Sequence, residues 1–427
     1  MISLDLALIF FLILVVLNYR AQRSVLYPPF IFSAMWLLDL VVIRLGLIEL
    51  DPLHGNTLAI VAAGAASFSV GGLLAGLAPR ELLRIHLFPP KPARAPDFFR
   101  NTLMIVLLCG LPVMFYQIWQ LSNSLGGGFN ILMQARLALI ESIQNEETSQ
   151  MRVVGYSTLI TSLASLLFAT GKKDRQFWIV TVVAFIVCIL GTMRSSLLSL
   201  IAGLSAIRLL QTKQESLRGA MRFLRWPIAL FLALCIGLIF TNKTPNYTDN
   251  ITGGVIGIAT FSALSYIVGP LAAFDKAVQS PADFISTGNY TSYFFLHMAA
   301  RLHLMDYTKP QAIESVTFVP FATNVYTVYE HYFLELGIIG TLVLLLFIGL
   351  LHSLLYLKAK QGGRFSIYLF AYSMYPVLMV FFADCYNNIA GYLFAIAFGL
   401  LYFSVGSLPL RLLPANKQGH LSSQTGP

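Results

Sequence analysis

The residues with the most chemical capacity per unit length fall in one stretch, Thr323 to Tyr356. Its first half carries Asn324, Tyr326, Tyr329, Glu330, His331, Tyr332 and Glu335 and feeds into an apolar run from Thr341 to Tyr356. Ionisable groups beside a hydrocarbon-spanning helix are costly unless they line a cavity or a pathway, so this junction reads as a functional site. His331, between Glu330 and Tyr332, is of the side-chain type that titrates near neutral pH and could take a proton as general base. A hydrogen-bonded structural histidine is the competing reading. Glu335 is the second candidate for that proton. Tyr326, Tyr329 and Tyr332 recur at a spacing of three, on one helix face. They read either as an interfacial aromatic belt or, with the amide of Asn324, as a surface on which a sugar stacks.

Membrane helices must position these residues. Of 427 residues, 57% are hydrophobic and 11% charged, and the mean hydropathy is +0.74. A soluble domain carries about 25% charged residues. The apolar runs are long and continuous rather than alternating, so the fold class is all-α, a single polytopic membrane domain over 1–427 whose helices satisfy their own backbone in lipid. The pattern predicts about 11 spans, near 4–17, 27–47, 57–77, 103–121, 153–170, 177–191, 195–210, 226–241, 335–357, 366–382 and 389–403. The first is short enough to pass for a signal segment. It lacks a basic leader, and Asn18-Tyr19-Arg20 follows it in place of a small-residue cleavage site, so it is read as a span.

Twenty of the 28 Lys and Arg fall in alternate loops, and the positive-inside rule puts those loops in the cytoplasm. The amino terminus is then outside and the carboxyl terminus inside. The net charge of +9 follows from topology and gives no support to a nucleic-acid partner. Two outer loops are long, 122–152 and 242–334. The second holds amphipathic pieces near 263–278 and 290–305, and Ile258, Phe261, Leu264, Tyr266, Phe294, Phe295 and Phe318 suit a lid reclining on the membrane surface. The polar tail 416–427 reads as disordered.

On this basic-poor outer side stand Arg44, Arg136, Arg152, Arg194 and Arg301. Arginine is always charged and meets phosphate oxygens bidentately, which suits a phosphate or pyrophosphate ligand. Arg194 lies in the tight turn Gly191-Thr192-Met193-Arg194-Ser195-Ser196, where the serines can cap the next helix and its amino end adds partial positive charge. Snorkelling to the interface is the alternative. Asp39, about a turn and a half before Arg44, is a candidate ion-pair partner, and Asp384, Tyr386, Asn387 and Asn388 in another tight turn read as helix caps. His297 and His303 read as packing residues. Cys109, Cys188, Cys235 and Cys385 are scattered and imply no disulfide framework. No metal, nucleotide or serine-nucleophile motif occurs, so no cofactor is signalled.

Three segments together carry a family resemblance: Gly191 to Ser196 opening a span, Tyr266 to Phe274 in the long loop, and Thr323-Asn324-Val325-Tyr326-Thr327 running through aromatics to Gly337-Ile338-Ile339-Gly340. In these and in topology the chain resembles the bacterial oligosaccharide repeat unit polymerases, the O-antigen polymerases of the Wzy type. One departure is Glu335-Leu336-Gly337, where that family carries Asp before Phe-Gly; the carboxylate is kept with one more methylene. The resemblance implies a glycosyltransferase of lipopolysaccharide biosynthesis in the bacterial inner membrane, with a GT-C-like architecture and its active site facing the periplasm. It implies transfer of a glycan from undecaprenyl pyrophosphate to the non-reducing end of a second lipid-linked repeat, with membrane lipid and a chain-length-regulating co-polymerase as partners. Because the leaving group is already acidic, cations suffice to stabilise it without a metal. On this reading Arg194 holds the pyrophosphate with Arg136 or Arg301 as second contact, and His331 or Glu335 deprotonates the acceptor.

Two alternatives share these features. An O-antigen ligase uses the same donor at the same face and also carries a large outer loop. A flippase for the lipid-linked unit would show inverted repeats and paired broken spans, or a basic cavity at mid-membrane depth, for which Arg44 and Asp39 are the candidates.

Overall fold

The computed structural model describes residues 2–79, part of 101–120, 175–190, 194–221, 254–284, 289–307 and 316–407. Among these the chain is mostly helical. In order the helices are α1 (Leu4–Gln22), α2 (Pro28–Arg44), α3 (Gly55–Gly76), α4 (Arg175–Leu190), α5 (Arg194–Thr212), α6 (Gly254–Gln279), α7 (Tyr293–Arg301), α8 (Tyr329–Lys360), α9 (Arg364–Leu378) and α10 (Ile389–Ser407). A two-stranded hairpin, β1 (Thr317–Phe318) with β2 (Ala322–Thr323), precedes α8 and pairs Thr317 with Thr323. The predicted spans near 153–170 and 226–241, loop 122–152 and tail 416–427 lie outside the described residues.

Helices α1, α3 and α8 are long and apolar enough to cross a membrane, and shorter apolar helices lie within α4, α5 and α10. Each long helix buries one side and shows an equally apolar one outward: Leu6, Ile9, Ile13 and Leu17 on α1, Val343, Phe347 and Leu351 on α8. A helix apolar all round suits lipid better than water.

Local signals explain the ends. Ser3 Oγ accepts from the Leu6 amide, and Asp5 faces the positive end of the α1 dipole. Pro28 and Pro29 open α2, where a missing N–H costs nothing. Buried Asn18 ties α1 to both neighbours, its Nδ2 lying 3.1 Å from the Pro29 carbonyl and 3.0 Å from Ser69 Oγ. The central seam joins α3 to α8. A methyl at Gly71 would run into the Leu346 carbonyl, and one at Gly349 into the Phe68 carbonyl. Small residues there let two backbones touch, the usual device for helix association in lipid.

Helix α8 is two helices. Gly337 has φ 66 and ψ −174, a conformation open essentially to glycine alone. A β-carbon at Gly64 of α3 would meet both Tyr329 and Leu345. In one straight helix those two residues would stand about 24 Å apart. The chain therefore folds back at Gly337, so that 329–336 forms a short arm beside the long arm 338–360. Tyr329 Oη donates to the Val61 carbonyl at 2.8 Å, well inside α3, and Trp36 packs edge-on against its ring at 5.5 Å.

The expected reclining lid needs correction. From Val268 to Ala277, α6 is built into the bundle: Val268, Leu271, Ala273, Phe274 and Ala277 are buried. Alanines permit the close approach, and Phe274 packs on Tyr329 and Phe333. Buried Asp275 pins α6 to the start of α3, accepting the His54 amide at 3.0 Å and lying 2.8 Å from His54 Nδ1. On α7, Phe295 and Met298 are exposed.

Candidate functional site

Three irregular segments converge at the short arm of α8. One is the extended approach 324–328, tied by the Val328 amide to the Val380 carbonyl at 3.0 Å. The second is the connection 379–388 between α9 and α10. The third is 289–292, just before α7. Irregular backbone in an apolar bundle must find internal partners, and here side chains of the short arm supply them.

Glu335 accepts from the backbone N–H of Tyr290 and, at 3.0 Å, from that of Thr291. Asn387 Nδ2 donates to the Tyr290 carbonyl. The Tyr290 ring stacks on His331, with centroids 4.1 Å apart and planes 16° from parallel. Tyr290 is thus held at its amide, its carbonyl and its ring. Glu335, expected as a possible proton acceptor, is committed to holding this segment. His331 remains at the centre, its Nε2 3.9 Å from Glu330 Oε2.

The group with spare capacity is Asp384. Its Oδ1 accepts from Tyr332 Oη at 2.9 Å and from the Tyr386 amide at 2.9 Å. Its Oδ2 is buried and has no hydrogen-bond partner among the described residues. Burial pushes the carboxyl up to about 6, against the Tyr332 hydrogen bond, the His331 imidazole and the backbone amides, which pull it down. The result is an acid ionised at neutral pH yet a stronger proton acceptor than an ordinary carboxylate. Beside it, burial pushes the Cys385 thiol up to about 12, so this sulfur is no thiolate nucleophile at neutral pH. Tyr386 Oη lies 3.2 Å from His352 Nδ1, and His352 Nε2 lies 2.9 Å from Ser373 Oγ, which extends the polar cluster into the bundle. Among the described residues, no three His, Cys, Asp or Glu side chains converge as metal ligands.

The other sequence candidates divide. Asn324 is exposed at the approach. Tyr326 is buried against Phe284, and Tyr329 is fully buried in the core, so neither can offer a face to a sugar or form a belt. Their spacing of three misleads because Tyr326 precedes the helix. Tyr332 is buried too, and acts through Asp384. Arg44 is paired in the open with Asp5 at 2.8 Å. That corrects the expected Asp39 partnership: Asp39 is fully buried, with neither oxygen hydrogen-bonded among the described residues. Arg301 is exposed at the last turn of α7, about 12 Å of helix beyond Tyr293. Arg136 and Arg152 lie outside the described residues.

Arg194 opens α5. Helix α5 packs along α9, and Leu210 near the end of α5 and Ile367 near the start of α9 line one cavity. The two helices are therefore antiparallel, which brings the main chain of Arg194 to the end of the bundle where α9 runs into 379–388. Asp384 is the residue missed from the sequence. The signal was the run Asp384-Cys385-Tyr386-Asn387-Asn388 closing a helix that Pro376 already weakens. A search of family models, of curated proteins and of solved structures gives no match to this chain.

Proposed function

We propose that the chain is a membrane-embedded glycosyltransferase that joins lipid-linked oligosaccharide repeats, with Asp384 as general base. The observation that supports it most is the buried, unpartnered Oδ2 of Asp384 between Tyr332 and His331. In the reaction the acceptor hydroxyl oxygen forms a bond to the donor anomeric carbon. The bond from that carbon to the pyrophosphate oxygen breaks, the hydroxyl proton passes to Asp384 Oδ2, and the lipid pyrophosphate departs with the electron pair. Arg194 and the amino end of α5 take up that charge, and Glu335 holds 290–291 over the site. The finer reading is the polymerase one: about eleven spans in a GT-C-like arrangement, inner membrane, and this end facing the periplasm.

The test compares surface lipopolysaccharide from cells lacking the gene, complemented with wild type, Asp384→Asn or Arg194→Ala. Loss of the ladder with retention of the single-repeat band is expected in the deletion strain. Asp384→Asn should lower polymerisation by about 10² to 10⁴. Its stability should move the opposite way: a raised carboxyl pKa costs the fold only above its unfolded value, so Asn relieves a cost present at pH 8 and absent below about pH 4. Loss of the single-repeat band in the deletion strain would sink the polymerase reading in favour of the ligase or the flippase. Wild-type ladders from both variants would sink the mechanism.

A second reading, a flippase for the same lipid-linked unit, is favoured by the fold-back at Gly337, since broken helices mark transporter sites. Vesicles holding the purified protein separate the two. Chain growth with donor and acceptor on one leaflet belongs to a transferase; transbilayer movement without growth belongs to a flippase.

A further inference from the structure

At the opposite end of the bundle, the ends of α1, α5 and α8 and the start of α9 surround a cavity of ≈ 760 Å³. Pockets for small molecules measure about 300 to 1,000 Å³. Among the described residues its charged lining is Arg23, Lys213, Lys360 and Arg364 against Glu215. That carboxylate is already engaged: Oε2 accepts from Ser24 Oγ at 2.7 Å and from Tyr356 Oη at 2.8 Å. Lys360 reaches over the Tyr356 ring, 5.7 Å from its centroid. Arg23 and Lys213 pair with no acid among the described residues.

We infer that this cavity binds an anion bearing a phosphate group, an assignment independent of the transferase reading. Four cations and one carboxylate leave three positive charges. Three helix carboxyl ends contribute roughly −0.5 each and the amino end of α9 roughly +0.5, which leaves a net charge of roughly +2. A phosphate monoester or two diesters would match it. The positive-inside rule accounts for basic residues at this end, though not for their arrival from four segments at one concavity whose acid, among the described residues, is taken. The backbone adds a second mark. Arg23 and Lys213 both hold left-handed conformations, φ 49 and 54, where glycine or asparagine is the ordinary choice. The long cation is kept at each place at a conformational cost of about 1 kcal/mol. The amino end of α9 begins at Gly363 with no side-chain cap, leaving room for a ligand oxygen.

The phosphate could belong to a lipid head group or to a soluble compound. The full chain in neutral detergent is titrated with inorganic phosphate, pyrophosphate, short-chain phosphatidylglycerol and short-chain phosphatidylcholine at fixed ionic strength, following its thermal midpoint. A rise with phosphatidylglycerol alone assigns the site to lipid; a rise with phosphate or pyrophosphate as well assigns it to a soluble ligand. In the double variant Arg23→Asn, Lys213→Asn, which suits the left-handed backbone and removes both charges, affinity should fall at least tenfold. Should that variant fail to insert, Arg364→Gln reads the same site. Arg44→Gln serves as the distant control. Equal shifts with phosphatidylcholine, or variants that titrate like wild type, would overturn the assignment.

Discussion

At the end where α2 gives way to α3, polar side chains answer one another. Glu335 takes two amides, Asn387 a carbonyl and Tyr332 one oxygen of Asp384, whose Oδ2 is left over. At the other end, among the described residues, the acid Glu215 is engaged by Ser24 and Tyr356 while Arg23 and Lys213 pair with no acid. The first end is made by breaking helices, at Gly337 and after Leu378, so that buried backbone needs side-chain partners. The second is made by ending helices, so that partial charges converge around the engaged carboxylate of Glu215. One helix serves both ends. The long arm of α8 between them carries exposed apolar residues and a glycine seam against α3.

Gly337→Val should break this comparison hardest. At φ 66 and ψ −174 a branched side chain costs on the order of 1–3 kcal/mol, and the short arm would leave its place against Tyr290 and Asp384. Polymer ladders should disappear, while the phosphate-dependent rise in thermal midpoint stays at its wild-type size. Both measurements come from one set of strains and membranes. Loss of the phosphate response as well would mean that the two ends fold as one unit.

What could be read from the sequence follows the same division. The ends of α3, α4, α5 and α9 fall within a few residues of the predicted spans, because an uninterrupted apolar run is the strongest helix signal in the sequence. The fold-back at Gly337 is not legible in the sequence, since glycines among apolar residues, as in Gly337-Ile338-Ile339-Gly340, read as tolerated helix residues; the backbone angles of Gly337 and the contacts at Gly64 of α3 reveal the turn. Asp384 reads as a cap because an acid next to a helix start is usually one. The residue that does cap α10 is Asn388, whose side chain accepts from the Gly391 amide at 3.1 Å, while Asp384 finds its partner 52 positions away in Tyr332. The inner cations were assigned to topology, which a one-dimensional rule explains fully; their convergence is a property of packing.

Tyr332→Phe sharpens the role of Asp384 without removing it. The Tyr332 hydroxyl favours the ionised carboxylate, so its loss should carry the Asp384 pKa above about 6. A base works only when deprotonated, so activity of the wild type should fall as pH drops through about 6, and the variant's acid limb should lie higher. Near pH 6 the variant should be about tenfold slower; at pH 8 the two should nearly coincide. An unmoved acid limb would remove Asp384 from the base role and return His331 to it.

The smallest effect belongs to the pair Arg44 and Asp5, whose side chains are 61% and 67% exposed. An ion pair in that setting adds less than about 1 kcal/mol and is screened by salt. Asp5→Asn should leave both thermal midpoint and polymerisation unchanged, and so should Arg44→Gln. The two variants are informative together. If Arg44 is only half of a surface pair, they behave alike; if it also reaches the lipid pyrophosphate, Arg44→Gln alone slows polymerisation, because Asp5→Asn frees the guanidinium instead of removing it. A selective loss in Arg44→Gln would extend the cluster across the face from α9 to α2, and equality would confine it to the segments around the short arm of α8.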